Sequence, residues 1–374
     1  MRKPLVFAVA LLISLASWAA TKISVSQLDS MLADMHSQSK SDEATANKLK
    51  EVELTDQLTE AAMNSFVKYQ PGPETIVQIR VLALESALLP PPPADLPETP
   101  APDQATQKAI MSRAIDYVTQ DFSHLPRFTA DKTTARYQNG EDFIRTSTGV
   151  ARIAHSDLGL DPASIYIRYL GEHSTPVVLQ GGVEMRPAKA KAQDPASQNG
   201  QISQGGPGPV LGVVLLDAAR GQIGWLRWET LGGKQTAVFG FAVNRKQSNY
   251  QVNYCCFPKS EDVGSHNGAI HGVSTTFEPF KTTAGYHGEF FIDPETGAVV
   301  RLIMQAELKP TDYVQQEDTR IDYGPVEIGG KQYVVPVQSI VLTTVVPSGQ
   351  SFQKVTMRRT AFDIKYSNYQ PAAG

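Results

Sequence analysis

The chain has 374 residues, 41% of them hydrophobic, with 34 basic and 38 acidic side chains for a net charge of −4. That composition excludes a wholly disordered chain and leaves room for more than one folding unit, while the acidic balance argues against nucleic acid as a partner. Only two cysteines occur, adjacent at Cys255 and Cys256, which excludes a disulfide framework of the small-secreted-domain kind.

The first 19 residues read as a secretory signal peptide. Arg2 and Lys3 precede an apolar run from Leu5 to Ala16, and Ser17 and Ala19 occupy the −3 and −1 positions of a cut after Ala19. No cysteine follows to carry a lipid. Losing Arg2 and Lys3 takes the net charge from −4 to −6. The other apolar runs, residues 76–89 and 210–216, are too short to span a bilayer, so the mature chain is expected to have no transmembrane segment and to be exported to the periplasm or beyond.

Residues 20–89 have helical spacing and are expected to form a small helical module. Leu28, Met31, Leu32 and Met35 make one stripe, with Ser26 and Asp29 as its capping pair. Ser41-Asp42-Glu43 opens a second helix, Thr55 is the expected cap of a third, and residues 74–89 form an apolar fourth after Pro71-Gly72-Pro73. Residues 90–102 are mostly proline and read as an extended linker.

Residues 103–370 are expected to form the second domain. Asp103 caps a helix whose Ile110, Ala114, Val118 and Phe122 share one face. After Pro126 the period changes to that of strands. Residues 128–138 and 142–151 are expected to pair through an Asn139-Gly140 turn, and residues 187–209 read as a long mobile loop. A short helix covers residues 210–219. Strands then follow quickly, and simple alternation puts Trp225 and Trp228 on opposite faces of one of them. The clearest hairpin is residues 285–308, turning at Asp293-Pro294-Glu295-Thr296-Gly297, where Asp bonds downstream backbone, Pro presets φ and Gly supplies a positive φ. The chain closes on a hairpin of residues 331–346 and 351–366. The fold class expected is α+β: a helical module, then a helix and a large curved antiparallel sheet resembling an incomplete barrel.

Catalytic signatures are absent from the pattern. There is no G-x-S-x-G elbow, no H-E-x-x-H, and Gly205 to Gly212 lacks phosphate-loop spacing. His266 and His271 lack the spacing of a helical metal pair, so no metal and no cofactor are expected. The one place for acid–base chemistry is His287 with Glu289, two residues on along one strand face. Its alternative is an ordinary half-exposed strand histidine. Trp225, Trp228 and Tyr286 are the candidate ligand- or partner-binding aromatics. Cys255 and Cys256 are read either as a strained vicinal disulfide, hence redox-sensitive, or as two small residues at a strand end.

Two resemblances stand on these residues. The runs VLLDAARGQIGW, AVFGFAV, YQVNYCCFP, GYHGEFFIDPETGAVVRL and YGPVEIGGKQYVVPV resemble a family of exported bacterial proteins, of the sort found in acidobacteria, that brings no activity with it. The helix from Asp103 to Phe122 followed by successive hairpins is similar to periplasmic lipoprotein-carrier and sigma-regulator sensor domains. That second resemblance implies a half-open barrel that cradles acyl chains or senses envelope lipoproteins. The leading expectation is therefore a non-enzymatic binding protein of the cell envelope whose sheet holds an apolar ligand or a protein partner. Two others stand beside it: a secreted enzyme with a cleft at His287 and Glu289, and an assembly protein that docks through its N-terminal helices.

Overall fold

Alternating apolar and polar residues in long β-prone runs need a surface to cover, and here they build one large sheet. The computed structural model describes residues 20–139, 143–146, 149–152, 166–181, 183–185, 200–201, 207–258, 277–346 and 357–372. The signal-peptide reading, His266, His271 and nearly all of the expected loop at 187–209 lie outside them. So do the side chains of Cys255 and Cys256.

The N-terminal module contains β1 (Thr21–Ile23), α1 (Val25–Ser37), α2 (Asp42–Lys50), β2 (Val52–Leu54), α3 (Glu60–Ser65) and α4 (Pro73–Glu85). Its own core gathers Leu28, Leu32, Leu49, Leu54, Phe66, Ile79 and Leu82. Two caps differ from expectation. The α1 cap is Ser24, in a reciprocal capping box with Gln27, because residues 21–23 pair as β1 with β2 and end just before it. Thr59, not Thr55, caps α3, since residues 52–54 are held as strand.

The proline-rich stretch that follows is pinned to its surroundings. Pro90 accepts from the Gln57 amide, Trp228 Nε1 donates to the Pro100 carbonyl at 2.9 Å, and Gln235 Nε2 donates to Thr99 Oγ1 at 2.9 Å.

Asp103 caps α5 (Gln104–Asp116), accepting from the Thr106 amide, and the coil continues in one wide and one tight turn to His124. The strands are β3 (Phe128–Gln138), β4 (Phe143–Thr146), β5 (Gly149–Arg152), β6 (Arg168–Gln180), β7 (Val183–Met185) and β8 (Gly200–Gln201). After α6 (Pro207–Ala218) come β9 (Gln222–Leu231), β10 (Lys234–Val243), β11 (Gln251–Pro258), β12 (Phe277–Thr283), β13 (Gly285–Ile292) and β14 (Val299–Glu307). The last three are β15 (Val314–Ile328), β16 (Lys331–Val345) and β17 (Arg358–Pro371).

Ten of these strands form one antiparallel sheet in the order β7-β6-β3-β17-β16-β15-β14-β13-β10-β9, and it is not closed into a barrel. The chain is α+β. Contrary to the expected hairpin, β3 lies between β17 and β6, while β4 and β5 pair with each other and, among the described residues, with no other strand. The β3 edge is taken by the chain's last strand, a long-range pairing that local turn signals do not encode.

Helices α5 and α6 pack on one face of the sheet. There Ile110, Phe122, Leu211 and Leu215 meet Phe128, Leu179, Phe239, Phe290, Leu302 and Tyr323 in the main core. Asp217, at the end of α6, is completely buried and accepts from the Asn249 amide at 2.7 Å and from the Tyr286 hydroxyl at 3.0 Å. The opposite face is covered by the module, whose Val81, Leu84 and Ala87 pack on Ala135, Tyr137, Ile340 and Ala361. At roughly 1.5–3 kcal/mol for each fully buried large aliphatic side chain, that contact is a substantial part of the fold.

The β13–β14 hairpin is seated on α5. Asp293 Oδ1 accepts from the Glu295 and Thr296 amides, Gly297 has φ +76°, and Arg113 Nη2 donates to the Pro294 carbonyl at 2.7 Å. A Cβ on Gly297 would lie 2.5 Å from the Arg113 backbone, so only glycine fits against that helix.

Candidate functional site

Alternation along β13 separates the residues singled out in the sequence. Tyr286 points into the main core with Phe290 and is fully buried. Burial first, and then Asp217, push its phenol well above the ordinary range, so it remains a hydrogen-bond donor. It is a core anchor for α6 and offers nothing to a ligand at the surface. His287 and Glu289 share the opposite, module-bearing face.

They do not form a pair there. Both Glu289 oxygens are taken by Arg227, at 3.0 and 2.9 Å, and Arg227 also donates to Glu229 Oε2 at 2.8 Å. His287 Nδ1 lies 3.5 Å from Glu307 Oε1, with both side chains about half exposed. The surrounding groove, of about 510 Å³, is lined by Gly224, Leu226, Gly240, Ala242, Ile303 and Gln305 as well as by these two residues. Its lining contains no Ser, Thr, Cys or Lys. The other carboxyl that interacts with this imidazole is Asp318, buried two strands away; burial pushes it up, against its hydrogen bonds to Gln316 and Gln305 and the pull of His287.

The two tryptophans are on one face, not two. A bulge in β9 places Trp225 opposite Phe239 and Arg227 opposite Val238, with Leu226 as the extra residue. The indole rings meet edge to face at 4.8 Å, and both pack against the main core. Trp228 spends its N–H on Pro100.

A second recess lies between the module and the sheet. Of about 520 Å³, it is lined by α2, β2 and α4 on one side and by β15, β16 and β17 on the other. Leu49, Val52, Val81, Leu82, Ile167 and Leu342 supply apolar wall, while Gln78, Glu85, Gln316, Thr344 and Arg359 supply polar groups. Gln78 is 8% exposed, and Thr343, also in the wall, has its Oγ1 buried without a hydrogen-bond partner among the described residues. Gln316 and Thr344 bond each other at 2.7 Å. Glu85 faces Arg359 at 2.9 Å, with its Oε1 enclosed and outside hydrogen-bond geometry. Burial pushes the Glu85 carboxyl up, against the pull of Arg359 and helped by Glu53.

No motif marks these residues, because they come from positions 78 to 359. Their one trace in the sequence is a polar residue, Gln78, set in the apolar run of α4 with no visible use. Among the described residues no group of three or more His, Cys, Asp or Glu side chains could hold a metal ion, and no helix is long and apolar enough to cross a membrane.

The fold and its recesses define an α+β protein built on a ten-stranded antiparallel sheet carrying a helical module. Beyond that class the comparisons add nothing: no protein-family model, curated protein or solved structure matches the chain.

Proposed function

We propose that the protein is an exported binding protein of the cell envelope and that its ligand sits between the helical module and the sheet. The observation that carries this reading is the recess of about 520 Å³ with two buried polar atoms outside hydrogen-bond geometry, Glu85 Oε1 and Thr343 Oγ1, on residues of its wall. Buried polar groups are nearly always bonded, so polar atoms in the wall of a recess of this size are groups that a bound molecule would satisfy. The apolar ligand expected from the sequence finds less support on the face that bears α5 and α6, where side chains of the protein itself fill the core. The signal-peptide pattern and the resemblance to exported bacterial proteins support the envelope setting.

Native mass spectrometry of the protein purified from the envelope fraction tests the reading. A mass above that of the polypeptide, released on denaturation, is expected. A bare polypeptide mass, unchanged on adding envelope extract, would count against binding.

A further inference from the structure

The margin of the sheet formed by β9 offers a second binding surface, independent of the recess. Strand β9 is the outer strand of the ten, paired with β10, and among the described residues no other backbone group bonds to it. Its outward N–H and C=O groups are a template for a further strand. The opposite margin is guarded: β6 carries Pro176 and a Gly171 at φ +126°, and the three-residue β7 pairs with its end. Strand β9 has no proline, and its bulge at Leu226 leaves Gln222 to Trp225 in regular register.

The groove of about 510 Å³ opens beside that stretch. Gly224 lies opposite Gly240, and with Ala242 they make a floor almost bare of side chains, walled by Leu226, Leu88 and Ile303. A Cβ on Gly224 would meet nothing within 4 Å, and Leu226 is 49% exposed. That is room for one apolar side chain of an added strand.

Charge sets the direction. Arg220, Arg245 and Lys246 are exposed at the start of β9, where Gln247 Nε2 donates to the Arg220 carbonyl at 3.0 Å. Arg245 donates to the Thr282 hydroxyl, and among the described residues no carboxylate pairs with any of the three. Further along β9, Arg227 is already held by Glu229 and Glu289. The sheet is antiparallel throughout, so an added strand of the same sense brings its C-terminal end beside the free cations.

The geometry points to β9 as a docking edge for an extended peptide segment of another protein, which adds as an antiparallel strand with an apolar side chain in the groove and acidic residues at its C-terminal end.

Fluorescence anisotropy on the full mature chain tests this with a library of labelled peptides of about ten residues that alternate Thr with Val, Leu, Ile or Phe and end in Asp-Asp. Binders are expected, weakened about tenfold or more by Gly224→Leu, which fills the groove, and by Arg245→Glu with Lys246→Glu, and unaffected by Lys331→Glu on β16. Amide hydrogen exchange in residues 222–226 should slow on binding. N-methylation of one alternate set of peptide amides should abolish binding and of the other set should spare it, because only one set faces β9. Circular dichroism and melting curves establish that each variant is folded.

Binding that neither methylated set loses, or that the groove and charge variants leave unchanged, would overturn the edge assignment. Binding of phosphatidylglycerol vesicles in place of every peptide, lost in the charge variant, would make this a membrane-facing patch and overturn the peptide partner. Failure of the whole library would overturn the proposal outright. None of these results bears on the recess, which the native mass tests separately.

Discussion

Asp322 shows most clearly how single residues hold the module-bearing face together. Its carboxylate is shared by Arg301, which reaches it through Nε, and by Arg320, at 2.7 Å, while Arg320 Nη1 also donates to the Ala87 carbonyl at the end of the module. Burial raises the Asp322 pKa, but the two guanidiniums outweigh it and the net shift is downward. A depressed carboxylate stabilises the fold above its unfolded pKa and loses that contribution as pH falls through the folded value. Asp322→Asn should therefore cost about 3–5 kcal/mol at pH 7, since it leaves two cations buried without a counterion. The difference from wild type, measured by urea unfolding, should hold down to about pH 4 and narrow below it.

At the same scale, Trp225 and Trp228 mark a limit of sequence reading. Strict alternation separates them, and the extra residue Leu226 reunites them. A bulge carries no obligatory residue pattern of its own, so nothing in the run QIGWLRWETL announces it.

Elements were legible where their signals are local. The hairpin β13–β14 turns at the residues that its Asp-Pro and Gly predict, and Ser41 and Asp103 cap the helices expected of them. Partners distant in sequence were not legible. Helix α4 is an example, because its own cap position is Gly72, with no side chain to offer. Asp42 of α2 does the work instead: its carboxylate accepts from the Glu74 and Thr75 amides at 2.9 and 3.0 Å. A Cβ on Gly72 would fall 2.4 Å from that carboxylate, so glycine is needed for the arrangement. Desolvation opposes ionisation of Asp42, but its hydrogen bonds to Thr75 and Glu74 prevail and lower its pKa. Asp42→Ala should destabilise the protein by about 1 kcal/mol at neutral pH, a loss that thermal melts should show shrinking as the solution is acidified below the ordinary carboxylate range.

For the molecule as a whole, the module is a wall of the sheet domain and not a separate appendage. Val81, Leu84, Ala87 and Leu88 cover apolar sheet residues that would otherwise face water, and Arg320 ties the two together. The intact chain should unfold in one calorimetric transition. Deleting residues 20–89 should leave a sheet domain that aggregates or melts well below the full chain; a monomeric remnant of unchanged Tm would show that the contact is dispensable.

The same association creates the cavity. That explains why its residues could not be read from the sequence: Gln78, Glu85, Gln316 and Arg359 become neighbours only when the module settles on the sheet. The strongest sequence candidate, His287 with Glu289, reached one face as alternation required, yet Arg227 and Glu307 took each of them separately.

The most direct measurement of the central claim is a crystal structure of the protein purified from the envelope without delipidation or refolding. Non-protein density within hydrogen-bond reach of the Gln78 amide and in contact with Arg359 or Glu85 is the predicted result. A cavity filled by the protein's own side chains, or by water alone, would contradict it.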